Sequence, residues 1–290
     1  MKSVVASPAR VAVLAVVLLL SACSVLQMVY SQAPRYVQWR SNVAHHFNAE
    51  QYSLVKAVVH RWFAWHRQDQ MPRVAVLLAL AADDVRGPVS PALACERRQA
   101  YLALAKQGLA RAAPLAAAVM VRLGPEQLAR VQTFYTDIND DFRDDYLADD
   151  PREQAELAAD FMLKWGSWVY GDFSDGQRQR LVAEVMALPF SARTVLDEFQ
   201  RFQRQYVQLL RDIQTQGVTA EQASQRLQAM VLDGIDPQDP VRKAQMQRWV
   251  QAGCAFASWF QGQTTDEQRA HAARTLSGWQ ADVVEIASSQ

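Results

Sequence analysis

Apolar residues recur along this chain at steps of three and four. The clearest run is Leu196, Phe199, Phe202, Tyr206, Leu209 and Ile213. Such spacing lays one apolar stripe along an α-helix, and no stretch sustains the period of two that a half-buried strand requires. The starts of the helices are punctuated. "FNAEQ" at 47–51, "FSDGQ" at 173–177, "VTAEQ" at 218–222 and "TTDEQ" at 264–268 each place Asn, Ser or Thr three residues before Gln. This is a capping box: the cap oxygen accepts the third amide of the helix, and the Gln carbonyl accepts the amide of the cap. "LGPEQ" at 123–127 puts Gly at the cap and Pro behind it, which also suits a helix start. Ser90-Pro91, Ser191 and Asp239-Pro240 mark three further starts.

These signals predict helices near 49–68, 72–86, 91–109, 114–122, 125–147, 151–170, 175–187, 192–215, 219–232, 240–261 and 266–287. The caps recur at irregular intervals, so they do not describe a solenoid. Short links between so many helices imply antiparallel neighbours. The expected fold is all-α, a multi-helix bundle or orthogonal array of about ten helices. It forms one domain over 45–290, with two helical lobes as the alternative.

The N-terminus reads differently. Lys2 and Arg10 are the only charges before residue 35, and Val11 to Leu20 are all Val, Leu or Ala. A basic start followed by a short apolar run is the layout of an export signal, and the run is too short for a confident spanning helix. Leu20-Ser21-Ala22-Cys23 then resembles the bacterial lipobox. That resemblance implies cleavage after residue 22, a diacylglycerol thioether on the Cys23 sulfur and an acyl chain on the freed amine. No other cofactor is expected. Ser24 stands where aspartate would favour the inner membrane, so the expected location is the inner leaflet of the outer membrane, facing the periplasm. Residues 23–44, with Pro34, Tyr30, Tyr36 and Trp39, read as a lipidated tether able to dock on the body.

The chain has 30 basic and 30 acidic residues; without Lys2 and Arg10 the rest stands at −2. No basic excess points to nucleic acid. Eleven glycines in 290 residues are few against an average near 7%, in keeping with a helical chain. Two cysteines remain after Cys23. In an oxidising compartment an even pair usually bonds, so a Cys95–Cys254 disulfide is expected, with two buried thiols as the alternative.

"RWFAWHRQDQMP", Arg61 to Pro72, is the most unusual segment. It reads first as an aromatic core helix whose polar tips reach the surface. The sharper reading is a ligand groove walled by Trp62 and Trp65 and rimmed by His60, His66 and Arg67. His60 and His66 lie six apart and share a helix face poorly, so no metal site is expected. "DINDDFRDDYLADD", Asp137 to Asp150, fails as a calcium loop, because Phe142 and Ala148 occupy the positions that need Gly and Glu. Tyr135, Ile138, Phe142 and Tyr146 thread an apolar stripe through it, so it reads as an amphipathic helix with an acidic face. No G-x-S-x-G, HExxH, paired CxxC or phosphate loop occurs, and no catalytic residue is expected.

The order of these features resembles a family of uncharacterised Gram-negative lipoproteins, domain of unknown function 6279. The residues that carry the likeness are Cys23, Asn48–Gln51, Arg61–Pro72, Thr265–Arg269 and Gly278-Trp279. Where that family commonly has a His-Asn pair, this chain reads Phe260-Gln261-Gly262-Gln263. The resemblance implies a helical lipoprotein and brings no known activity. Two functions are therefore expected as alternatives. One is a non-catalytic, chaperone-like lipoprotein that cradles an exported protein. The other is a carrier or sensor of a lipid or another apolar small molecule.

Overall fold

The computed structural model describes residues 25–289; the expected export signal and the expected lipidation of Cys23 lie outside them. Among the described residues there are eleven α-helices, one π-helical turn and no strand, as the capping signals and stripes require. We label them α1 (Val25–His45), α2 (Ala49–Trp65), α3 (Met71–Asp84), α4 (Pro91–Met120), α5 (Pro125–Tyr146), α6 (Pro151–Tyr170), α7 (Asp175–Met186), α8 (Ala192–Gln216), α9 (Ala220–Ile235), α10 (Pro240–Gly262) and α11 (Asp266–Ser288).

Three boundaries depart from the sequence reading, two of them at proline. The break expected between 109 and 114 is absent: α4 runs unbroken through Pro114. Pro114 and Ala110 are both exposed, so the carbonyl that loses its donor lies on the solvent side. The break expected before Pro72 is a π turn over His66–Gln70, in which the Met71 amide donates to the His66 carbonyl five residues back. Proline cannot donate to the carbonyl four residues earlier, and one residue of slack accommodates it without ending the helix. The third departure is α1, which turns the expected tether into a 21-residue helix packed on the body.

The 30-residue α4 is the spine. Its C-terminal half packs with α5, α8 and α9 around Ala113, Ala117, Val131, Leu210 and Ala223, all at 1% exposure or less. Three alanines at that seam let α4 and α9 approach closely, and α4 and α9 share one of the largest contacts in the molecule. On the other side α3 lies along α11 through Ala82, Ala272 and Ala273, and α6, α7 and α10 close around Ala159 and Leu181. Cys95 in the first turns of α4 is bonded to Cys254 of α10, with sulfurs 1.98 Å and Cα atoms 5.3 Å apart. The bond ties the spine to this second group.

The capping boxes do more than start helices. The Gln51 amide donates to Gln127 Oε1 at 3.0 Å, and Gln127 donates back to Gln51 Oε1 at 2.9 Å. Gln177 and Gln268 repeat the arrangement at 2.7 and 3.3 Å. Each Gln thus accepts its own cap amide and joins a second helix start by a reciprocal amide pair. The first pair also donates to the carbonyls of Arg122 and His45, and the second to those of Gln263 and Asp172. One pair sits in each group of helices. Gln261 is a third buried hub: it accepts from the Tyr170 hydroxyl at 2.7 Å and donates to the Val85 carbonyl at 2.8 Å.

Candidate functional site

A cavity of about 510 Å³ opens between α1, α2 and α4. Helix α2 presents Val55, Val58, Val59, Trp62 and Phe63 to it. Helix α4 supplies Ala112, Leu115, Ala116 and Val119, and α1 supplies Val37, Ser41 and His45. The volume lies within the roughly 300–1,000 Å³ of small-molecule sites. Of the described side chains on its wall, only Ser41, His45, Trp62 and Tyr206 carry a nitrogen or an oxygen. Side chains at steps of three and four on α2 face α4 across the gap, and the small Ala112 and Ala116 leave it unfilled.

His45 and Tyr206 form the polar end. His45 Nδ1 lies 2.9 Å from the Ser41 carbonyl, and Nε2 lies 3.1 Å from the Tyr206 hydroxyl. A carbonyl only accepts, so Nδ1 carries the proton. Burial holds the His45 pKa below the usual histidine range, with the Ser41 bond opposing it, so the ring is neutral near pH 7. Nε2 therefore accepts, and Tyr206 donates to it. Burial, and after it the neighbouring Tyr135, push the Tyr206 hydroxyl well above the usual phenol range; burial takes Tyr135 to about 12. His46, just past α1, holds a left-handed φ of 50°. That turn lets the Phe47 amide return to the Asn42 side chain at 3.1 Å.

The residues singled out in the aromatic segment part ways. Trp62 lines the cavity, and Phe63 joins it. Trp62 also donates from Nε1 to the Gly108 carbonyl at 3.1 Å, which fixes its ring against α4. His66 stacks on Trp62 with centroids 4.6 Å apart and turns its Nδ1 to the Tyr30 hydroxyl of α1 at 3.0 Å. Arg67 also reaches Tyr30, while its buried Nε has no partner among the described residues. Trp65 meets the edge of Trp62 but does not line the cavity, and His60 is exposed on the far face. The segment thus gives one wall of the cavity and a clasp for α1, and the clasp holds the opposite wall.

Sequence reading did not find His45, Tyr206 or the alanines of α4 as parts of one site. They are up to 161 positions apart, and no local pattern marks them. Among the described residues no group of three or more His, Cys, Asp or Glu is placed to hold a metal, and no helix is long and apolar enough to cross a membrane. The acidic run forms the end of α5 and the loop after it. Its stripe rests on neighbours through Tyr135–Tyr206, Phe142–Phe199 and Tyr146–Phe161 ring contacts of 5.5 to 6.3 Å.

A family model described as a family of unknown function (DUF6279) matches residues 44–230, a span that holds α2, α4, Tyr206 and most of the cavity. Neither a curated protein nor a solved structure matches the chain.

Proposed function

Since the chain belongs to the DUF6279 family, which lends it no activity, we propose a function from the site itself: an envelope lipoprotein that holds an apolar, chain-like small molecule between α1, α2 and α4. The observation that carries this reading is the cavity, sized for a small molecule and walled almost wholly by carbon. Water in such a space has few partners, so an apolar occupant gains about 25 cal/mol for each Å² it buries. The reading asks for binding and not for catalysis.

The membrane part of the proposal rests on the lipobox at Cys23 and on α1. Val25, Met28, Val29, Tyr36 and Trp39 recur at helical spacing along the outer face of α1, each more than half exposed. The opposite face, with Ser41 and His45, lines the cavity. A helix apolar on both sides, two residues after a lipidated cysteine, would lie in the bilayer surface with Tyr36 and Trp39 at headgroup depth. The bound molecule would then enter from the membrane that α1 rests on. Native mass spectrometry of protein extracted from its own membrane tests the reading. A co-purifying lipid-sized mass supports it, and an empty protein from a membrane extracted without delipidation counts against it.

A second reading, the cradling of an exported polypeptide, draws on a different surface. Phe199, Phe142, Tyr146, Phe161, Trp165 and Trp168 form an unbroken series of ring contacts across α8, α5 and α6. Trp168 is 60% exposed and Phe199 52%. Seven aspartates between 137 and 150 border it against Arg143 alone, so the fitting client is a basic, aromatic-binding segment. An arginine-rich peptide that binds wild-type protein and Trp165→Ala equally would dismiss this reading.

A further inference from the structure

Each polar side chain of the cavity wall has a partner within the protein. The Ser41 hydroxyl donates to the Val37 carbonyl at 2.7 Å. Trp62 Nε1 donates to the Gly108 carbonyl at 3.1 Å. His45 Nδ1 donates to the Ser41 carbonyl, and Tyr206 donates to His45 Nε2. Every nitrogen- or oxygen-bound proton on the wall is therefore engaged within the protein. Among the described residues no lysine or arginine lines the space. What remains is acceptor capacity: the lone pairs of the Tyr206 oxygen and of the Ser41 hydroxyl.

A carboxylate accepts and never donates, so here it would lose its water and find neither a cation nor a free donor. A hydroxyl loses far less, because its proton has a waiting acceptor at Tyr206. We infer that the cavity selects an alkyl or acyl chain ending in an uncharged hydroxyl and rejects the corresponding fatty-acid anion. This rests on the cavity reading above and adds to it the identity of the head group. The selectivity comes from the His45–Tyr206 pair: with His45 neutral, its Nε2 consumes the one proton Tyr206 could offer an anion.

The test uses the purified protein in an amphipathic polymer, at about pH 8, where a carboxylic acid is ionised. N-phenyl-1-naphthylamine is displaced in turn by decan-1-ol, by its methyl ether and by decanoate. The ether keeps the chain and the oxygen and carries a methyl group in place of the proton, and that extra carbon acts in the ether's favour where it is buried. The expected order is alcohol, then ether, then decanoate, with alcohol about three- to tenfold tighter than ether, the worth of one neutral hydrogen bond. Decanoate should be weaker than the alcohol by more than about 100-fold, since an unpaired charge is buried. His45→Leu, which frees the Tyr206 proton, should narrow the gap between alcohol and decanoate. Equal binding of all three ligands, or decanoate binding tightest, overturns the inference and leaves the cavity reading standing. Failure of the naphthylamine and all three ligands to bind overturns both. The wild-type order alone decides the matter if His45→Leu does not fold.

Discussion

His45 joins stability to the site at the scale of one residue. Its folded pKa lies below its unfolded value of about 6.5, because burial penalises the imidazolium. The unfolded chain then binds the proton first as pH falls. Stability is full above about 6.5 and is lost as pH drops through the folded pKa. His66, lowered by burial as well, acts in the same direction. The urea midpoint should therefore fall between about pH 7.5 and 5.5, and His45→Gln should flatten that slope. The buried glutamines set a second expectation. Gln177→Ala removes a cap acceptor and leaves the Gln268 amide and the Gln263 carbonyl short of partners, at a cost of about 1–3 kcal/mol in urea unfolding. Gln51, Gln177 and Gln268 were legible as the third residue of a capping box, since that chemistry spans three positions, and Gln127 as the third residue after a Gly cap. The reciprocal pairs join residues 76 and 91 positions apart, which no window of sequence contains.

Among elements, α1 carries the most consequence. Its inner face is held by Tyr30 to His66 and by His45 to Tyr206, and its outer face is an exposed apolar stripe. The sequence predicted a tether able to dock here, from Pro34 and the aromatics Tyr30, Tyr36 and Trp39; it is a docked helix, in which packing of Tyr30 and Ala44 on the body outweighs the backbone bond lost at Pro34. The breaks expected at Pro72 and Pro114 are absent because proline marks a local cost and the surrounding helices decide whether it is met. If α1 rests in the bilayer surface, brominated lipid should quench tryptophan fluorescence of the lipidated protein. Trp39→Phe should remove part of that quenching and Trp249→Phe should not; equal loss from both variants would detach α1 from the membrane. The disulfide was legible from the expected export and the count of cysteines. It joins residues 159 apart, and reducing it should lower stability by about 2–4 kcal/mol, read as a fall in the urea midpoint with dithiothreitol.

At the scale of the molecule, the helices after residue 120 fell within three residues of the expected ends, because caps and stripes are local and strong. The cavity was not legible. It arises where α4 sets alanines opposite the valines of α2 while α1 closes the side, a matter of how three helices meet. The aromatic segment marked the right neighbourhood, yet of its residues only Trp62 and Phe63 face the space. The proposed function requires that space to take an apolar guest. The most direct measurement is titration of N-phenyl-1-naphthylamine into the wild-type protein and into Ala112→Phe, which fills the cavity from the α4 side. Saturable binding at one site, lost in Ala112→Phe while the helical circular-dichroism spectrum is kept, is the predicted result. Binding of equal strength to both proteins, or no saturable binding to the wild type, would contradict it.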